Sequence, residues 1–249
     1  MVKRNKVELC IIIILMFILP AQTYAMHIME GFLPLHWAII WWVALIPFLF
    51  ISTKKLQKSI QESPDNKMLL AMVGAFIFVV SALKLPSVTG SSSHATGVGL
   101  GAILFGPYVM VVISFVVLVF QALLLAHGGI TTLGANGFAM GVVGPVLAYG
   151  LYKGLKRIGL SNGGSIFIAA AIGNMSTYVV TAAQLAIAHQ DPITGFYGAF
   201  LKFLGVFSLT QIPLAITEGL LTVVVINILL SYRDKGLVEI PNIKGGYQQ

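Results

Sequence analysis

The chain has 249 residues, 57% of them hydrophobic and only 9% charged. A soluble domain carries roughly 25% charged residues, so an ordinary water-wetted surface is excluded. The net charge of +7 does not point to nucleic acid, because lysine and arginine gather in short clusters between apolar blocks, the pattern of cytoplasmic loops.

Residues 1–25 have three parts. Lys3, Arg4 and Lys6 form a basic leader, the run LCIIIILMFIL from Leu9 to Leu19 is apolar, and PAQTYA follows. This order is that of a secretory signal, and the apolar run is too short for a membrane span. Cleavage after Ala25 places Ala25 and Thr23 at the two positions where the peptidase wants small residues. An uncleaved signal anchor is the rival reading. Cleavage also removes Cys10, the single cysteine, so no thiol chemistry is expected of the mature chain 26–249.

The mature part reads as one helical membrane domain. Phe32 to Ile51 forms an apolar helix with Trp37, Trp41 and Trp42 near its start, followed by the basic loop TKKLQKSIQESPDNK. Met68 to about Lys84 returns outward, and LPSVTGSSSHATG is a polar link. The short glycine-rich segment VGLGAILFG leads back in, with a turn at Gly106-Pro107. Tyr108 to His127 runs out, and GGITTLGANG is an outer loop or re-entrant piece. Phe138 to Tyr152 runs in, Ile166 to Ala188 out, and Phe207 to Leu230 in, leaving a cytoplasmic tail from about 231. Continuous blocks such as GPYVMVVISFVVLVFQALLLA are helical spans rather than the alternating segments of a barrel. The expected fold is an all-α polytopic membrane protein of about seven helices, its mature N-terminus outside and its C-terminus cytoplasmic. Ten Lys/Arg fall in the inferred cytoplasmic segments, whereas only Lys84 and Lys202 lie near the outer side, as the positive-inside rule requires.

Cleavage after Ala25 changes the chemistry of His27. A free α-amine on Met26, the backbone nitrogen of His27 and its imidazole then follow one another along the chain. Binding through amine and amide closes a five-membered ring, and through amide and imidazole a six-membered one. These three nitrogens prefer a plane. One more imidazole completes a square-planar set suited to Cu(II), Ni(II) or low-spin Co(II). Calcium and magnesium want oxygen ligands, and tetrahedral zinc fits a plane poorly. The amide must lose its proton, so affinity should climb with pH. His94, in the outer link on the same side, is the candidate fourth ligand. His36 reads as an interfacial histidine, His127 as a solvated cap at a helix end with a metal role as the lesser alternative, and His189 as solvated surface. Glu218 is the one carboxylate deep in a predicted helix, with a functional role and a paired structural one equally open. No phosphate-binding lysine loop is present.

The stretches MHIMEGFLPLHWAIIWW and SVTGSSSHATGVGLGAILFGP together resemble the CbiM/NikM family, substrate-capturing membrane subunits of energy-coupling factor transporters for cobalt and nickel. The resemblance covers Met26 to about Leu230 and implies a seven-helix protein of the bacterial cytoplasmic (inner) membrane. It implies that the Met26 amine, the His27 amide and imidazole, and the His94 imidazole hold the metal. It also implies partners: a CbiQ-like transmembrane coupling subunit, CbiO-like ATP-binding cassette subunits that hydrolyse ATP, and a small CbiN-like accessory membrane protein. The first stretch looks more like the cobalt branch, which feeds cobalamin synthesis, with nickel uptake by the same mechanism as the alternative. The transported Co(II) or Ni(II) is the substrate, and no organic cofactor is implied. Many members begin directly at the Met-His start, whereas this chain carries a leader in front of it.

Two other classes compete. An intramembrane metalloenzyme would use a histidine site to activate water, but no HExxH motif is present and a site filled by four nitrogens lacks an open position. An assembly or scaffold protein would bind no metal. Intact-mass measurement of the purified protein should find Met26 at the mature N-terminus, and a retained leader would sink the chelate.

Overall fold

A computed structural model describes residues 24–25, 27–63, 66–86, 91–237 and 240. The leader up to Thr23, and Met26 itself, lie outside the described residues. Helix α1, Leu35–Glu62, presents Ala38, Leu45 and Ser52 to the interior, each seven residues after the last, while Leu35, Ile39, Val43, Ile46 and Phe50 face outward. An apolar exterior of this kind is lipid-facing. At 1.5 Å per residue, α1 is about 42 Å long, more than the roughly 30 Å of a bilayer's hydrocarbon core. The apolar pattern predicts an end to this helix at Ile51. The helix instead continues through TKKLQKSIQE, because lysine, leucine, glutamine and glutamate favour helix and Lys58 pairs with Glu62 at 3.6 Å.

Helix α2, Asn66–Ala82, is shorter, and its first residue is fixed by Asn66 Nδ2 donating to the Ser59 carbonyl at 2.9 Å. The link that follows contributes two short strands, and a third comes from the residues beside the expected cleavage point. Strand β1 is Tyr24–Ala25, β2 is Leu85–Pro86 and β3 is Ser91–Ser93, with β3 central, parallel to β1 and antiparallel to β2. Polar backbone that enters a membrane protein must find partners, and this small sheet supplies them.

Beyond β3 the chain descends into helix α3, Val98–Phe105, in which every residue is buried. Val98, Ile103 and Leu104 are fully enclosed in the main apolar cluster, with Val73 and Ile77 of α2. Gly99 lies against Ala170, where an added Cβ would come within 2.9 Å of the Ala170 Cα, so the glycine-rich run does serve close packing. Helix α4, Pro107–Leu125, starts on a proline at its first position. Ser52 of α1 joins it, donating to the Tyr108 carbonyl and accepting from the Val112 amide at 3.1 Å.

The segment GGITTLGANG, expected as an outer loop or re-entrant piece, is half loop and half helix. Its last five residues open helix α5, Leu133–Arg157, so this helix begins before Phe138. A wider π-type stretch, Phe138–Val143, lies within it. Such bulges often mark functional sites. Helix α6, Asn162–Ala188, is capped by Ser161, whose hydroxyl accepts from the Gly164 amide at 3.2 Å. Asp191 turns the chain by accepting from the Ile193 and Thr194 amides, both at 2.9 Å, and helix α7, Gly195–Asp234, runs for 40 residues. It starts well before Phe207, because GFYGAFLKFLG is apolar and contains no proline.

Five of these helices are long and apolar enough to cross a membrane, α2 is a shorter apolar helix, and α3 reaches only partway. The chain is a multi-pass membrane protein. Its antiparallel connections gather the start of α1, the end of α4 and the start of α5 at one end, with the segment around His27.

Helix α5 crosses α1 closely at Gly134, where an added Cβ would lie 2.5 Å from the Trp42 backbone nitrogen. Gly134→Ala should therefore destabilise the detergent-purified protein by about 1–3 kcal/mol. Gly150→Ala, on the same helix with nothing within 4 Å, should be neutral or stabilising by up to about 1 kcal/mol. Thermal unfolding of the two variants checks the pair.

Candidate metal centre

The site begins with a short segment pinned across the top of α5. Asn136 grips Ile28 from both sides: the Ile28 amide donates to Asn136 Oδ1 at 2.8 Å and Asn136 Nδ2 donates to the Ile28 carbonyl at 3.0 Å. The Thr132 hydroxyl adds a third bond to that carbonyl at 2.6 Å. Glu30 accepts from the Thr131 amide at 3.0 Å and from its hydroxyl, and the Thr131 hydroxyl holds the Glu30 carboxyl below the usual carboxylate range. Ile28 and Leu33 bury as apolar pegs among Ala135, Tyr178, Leu185 and Phe207. With Ile28 fixed this way, its neighbour His27 turns inward and is only 3% exposed.

His94 arrives on the chain between β3 and α3. Every residue from Ser93 to Gly97 is buried, and the polar groups of this stretch are taken up by α7 and α6. Ser93 Oγ and Thr210 Oγ1 lie 2.7 Å apart, and Gln211 Nε2 donates to the His94 carbonyl at 3.4 Å. Two residues on, the Thr96 amide donates to Glu218 Oε2 at 2.6 Å and the Thr96 hydroxyl to Glu218 Oε1 at 3.0 Å. Asn174 of α6 donates to the same carboxylate at 2.6 Å and accepts from Gln211. Glu218 is thus fully engaged in holding the backbone that carries His94. The His94 Nδ1 donates to the Ala95 carbonyl at 3.0 Å, which leaves Nε2 facing inward without a partner.

The third component overturns an expectation. His127 does not cap a helix in solvent. It is 1% exposed, and its ring stands against the other two. Ala126 adopts a left-handed backbone (φ 46°), the His127 amide returns to the Gln121 carbonyl at 3.1 Å, and Gly128 turns the chain again at φ 82°. Gly129 then packs so tightly on the Glu30 backbone that a Cβ would fall 2.5 Å from its Cα. The ring centroids are 4.6 Å apart for His27 and His94, 4.6 Å for His27 and His127, and 4.9 Å for His94 and His127. One nitrogen from each ring lies within 4.8 Å of one from each of the others.

Burial lowers the basicity of all three rings. It takes His94 down to about 4, and it depresses His27 and His127 well below 6.5, with the neighbouring imidazoles acting in the same direction. Neutral imidazoles offer their lone pairs without competition from protons, which suits borderline transition metals. The remaining histidines stay outside: His36 is exposed beside Trp37, and His189 is exposed with Nε2 donating to the Phe32 carbonyl at 2.7 Å. The signals that could have found His127 and Asn136 are the paired glycines after His127 and a lone asparagine in an otherwise apolar helix start.

Comparison with known proteins gives a consistent picture. A family model described as CbiM, cobalt uptake substrate-specific transmembrane region, matches residues 27–235. A cobalt transport protein CbiM of Anoxybacillus flavithermus is 56% identical over 228 residues, spanning 92% of this chain and 91% of that protein. One from Acetohalobium arabaticum is 57% identical over 228 residues, spanning 91% and 90%. A crystal structure of a transition metal transporter superposes with a TM-score of 0.74 at 26% identity, covering 84% of this chain and 94% of that one.

The Glu218 clamp has a measurable consequence. Glu218→Ala strands the Thr96 amide and the Asn174 carboxamide in the core, at about 1–3 kcal/mol for each lost partner. The thermal midpoint should fall clearly, whereas Glu218→Gln, which keeps an acceptor for the Thr96 amide, should lose less. Equal midpoints for the wild type and Glu218→Ala would contradict the clamp.

Proposed function

The chain belongs to the CbiM family of cobalt-uptake membrane proteins, and from that premise we propose that it captures Co(II) through nitrogen ligands at the start of its mature chain. The ligands in this reading are the Met26 α-amine, the deprotonated His27 amide, the His27 imidazole and the His94 imidazole. The observation that carries the reading is the meeting of His27 and His94 in a buried pocket, their centroids 4.6 Å apart, with the His94 Nε2 left without another partner. Buried polar atoms without partners call for an explanation, and a metal ion supplies one. His27 directly follows Met26, so removal of residues 1–25 as a signal peptide exposes the amine where the chelate needs it.

Binding displaces one proton from the α-ammonium and one from the amide, and affinity therefore rises with pH. The chain acts as a transport subunit. ATP is hydrolysed by CbiO-like partner subunits, coupled through a CbiQ-like membrane subunit and assisted by a CbiN-like one, and the cobalt delivered serves cobalamin synthesis. Nickel is the second reading, because the same four nitrogens in a plane suit Ni(II) equally. The hydrolytic alternative gains no support from the geometry: Glu218 is occupied by Thr96 and Asn174, and Glu30 by Thr131.

Titration of purified mature protein with Co(II) tests the reading. Groups that merely hold a metal ligand in place are worth about 10–100-fold in affinity, so His27→Ala and His94→Ala should each cost more than that. Acetylation of the Met26 amine should do comparable damage, since it removes the amine as a donor while leaving both histidines in place. Unchanged affinity in the acetylated protein would remove the amine from the site.

A further inference from the structure

We propose that His127 is a fifth ligand, bound perpendicular to the plane of the other four nitrogens, and that it biases the site toward Co(II) over Ni(II). This rests on the reading given above. The Met26 amine, the His27 amide, the His27 imidazole and the His94 imidazole fill all four positions of a planar set. A further donor within reach of the metal then has only an axial position to take.

His127 meets the conditions for that position. Its ring is near to both histidines of the plane, at 4.6 Å from His27 and 4.9 Å from His94. Both of its nitrogens are buried and neither has a hydrogen-bond partner, although every neutral imidazole carries one N–H donor and one acceptor. The backbone also accepts strain to place the ring there: Ala126 is the one non-glycine residue with positive φ among those described, and it immediately precedes His127. Strain of this kind is held in place by its surroundings, and it gathers at functional sites. Here the surroundings are the His127 amide bonded to Gln121 and Gly129 locked against Glu30, so the turn that carries His127 packs on the segment that carries His27.

The choice of metal follows from electron count. Planar low-spin Ni(II) has eight d electrons and a filled orbital along the axis, which repels a fifth donor. Low-spin Co(II) has seven, with a single electron in that orbital, and accepts an axial nitrogen readily. A third imidazole therefore adds to cobalt affinity and adds little to nickel affinity.

The unpaired axial electron provides the test. Purified mature protein is loaded with Co(II) without oxygen and examined by electron paramagnetic resonance. One axial 14N nucleus splits each parallel cobalt line into three, and [15N]histidine labelling converts three into two. Wild-type protein should show both patterns, a measurement that needs no variant. His127→Ala should lose the splitting while still binding Co(II), and its preference for Co(II) over Ni(II) should fall by roughly tenfold or more. Bound cobalt without axial nitrogen splitting, or splitting that persists in His127→Ala, would overturn the assignment of His127 and leave the planar site standing. Wild-type protein that binds neither ion would remove both.

Discussion

The structure turns on one side-chain amide. Asn136 offers an acceptor to the Ile28 amide and a donor to its carbonyl, as a neighbouring β-strand would. The irregular chain at His27 and Ile28 could not otherwise stay buried among helices, because its backbone groups would go unmatched. With Ile28 matched, His27 projects into the core and the apolar pegs Ile28 and Leu33 seat beside Tyr178 and Phe207. Asn136 is itself positioned by a close helix crossing. Gly134 brings α5 onto the backbone of α1, and Gln184 of α6 donates to the Ala135 carbonyl at 3.1 Å. Three helices thus converge to hold one asparagine, and that asparagine holds the segment that carries His27.

The rest of the bundle inverts the logic of a soluble protein. Leucine, isoleucine and valine cover the outside, and a thread of polar groups runs through the middle. That thread is continuous from the His94 carbonyl through Gln211 and Asn174 to Glu218, and back to Thr96. Polar contacts inside a membrane protein have no water to fall back on, so each member of such a network depends on the others. The result is a stiff cradle for a histidine that stands on no helix of its own.

Much of this was legible in the sequence. The apolar blocks marked the helices, including the short one at VGLGAILFG, because hydropathy reports directly on what a bilayer accepts. Helix ends were less legible. The lysine-rich end of α1 reads as a loop if charge marks the boundary, whereas helical propensity carries the helix past it to Glu62. Met26-His27 and His94 stood out by their chemistry, and the structure brings His27 and His94 together, while Met26 lies outside the described residues. His127 did not stand out, since a histidine at the end of an apolar run usually meets water. What turns it inward is the left-handed Ala126, and no residue preference of alanine announces that conformation.

The stretch from His27 to Gly31 has a double identity. His27 supplies one of the three clustered rings, and the backbone of Ile28 beside it is the part that Asn136 and Thr132 hold. Anchor and ring are thus adjacent residues of one strip of chain. Losing the grip on Ile28 would carry the His27 ring away from its two neighbours, so the cluster is only as durable as the bonds to one backbone unit.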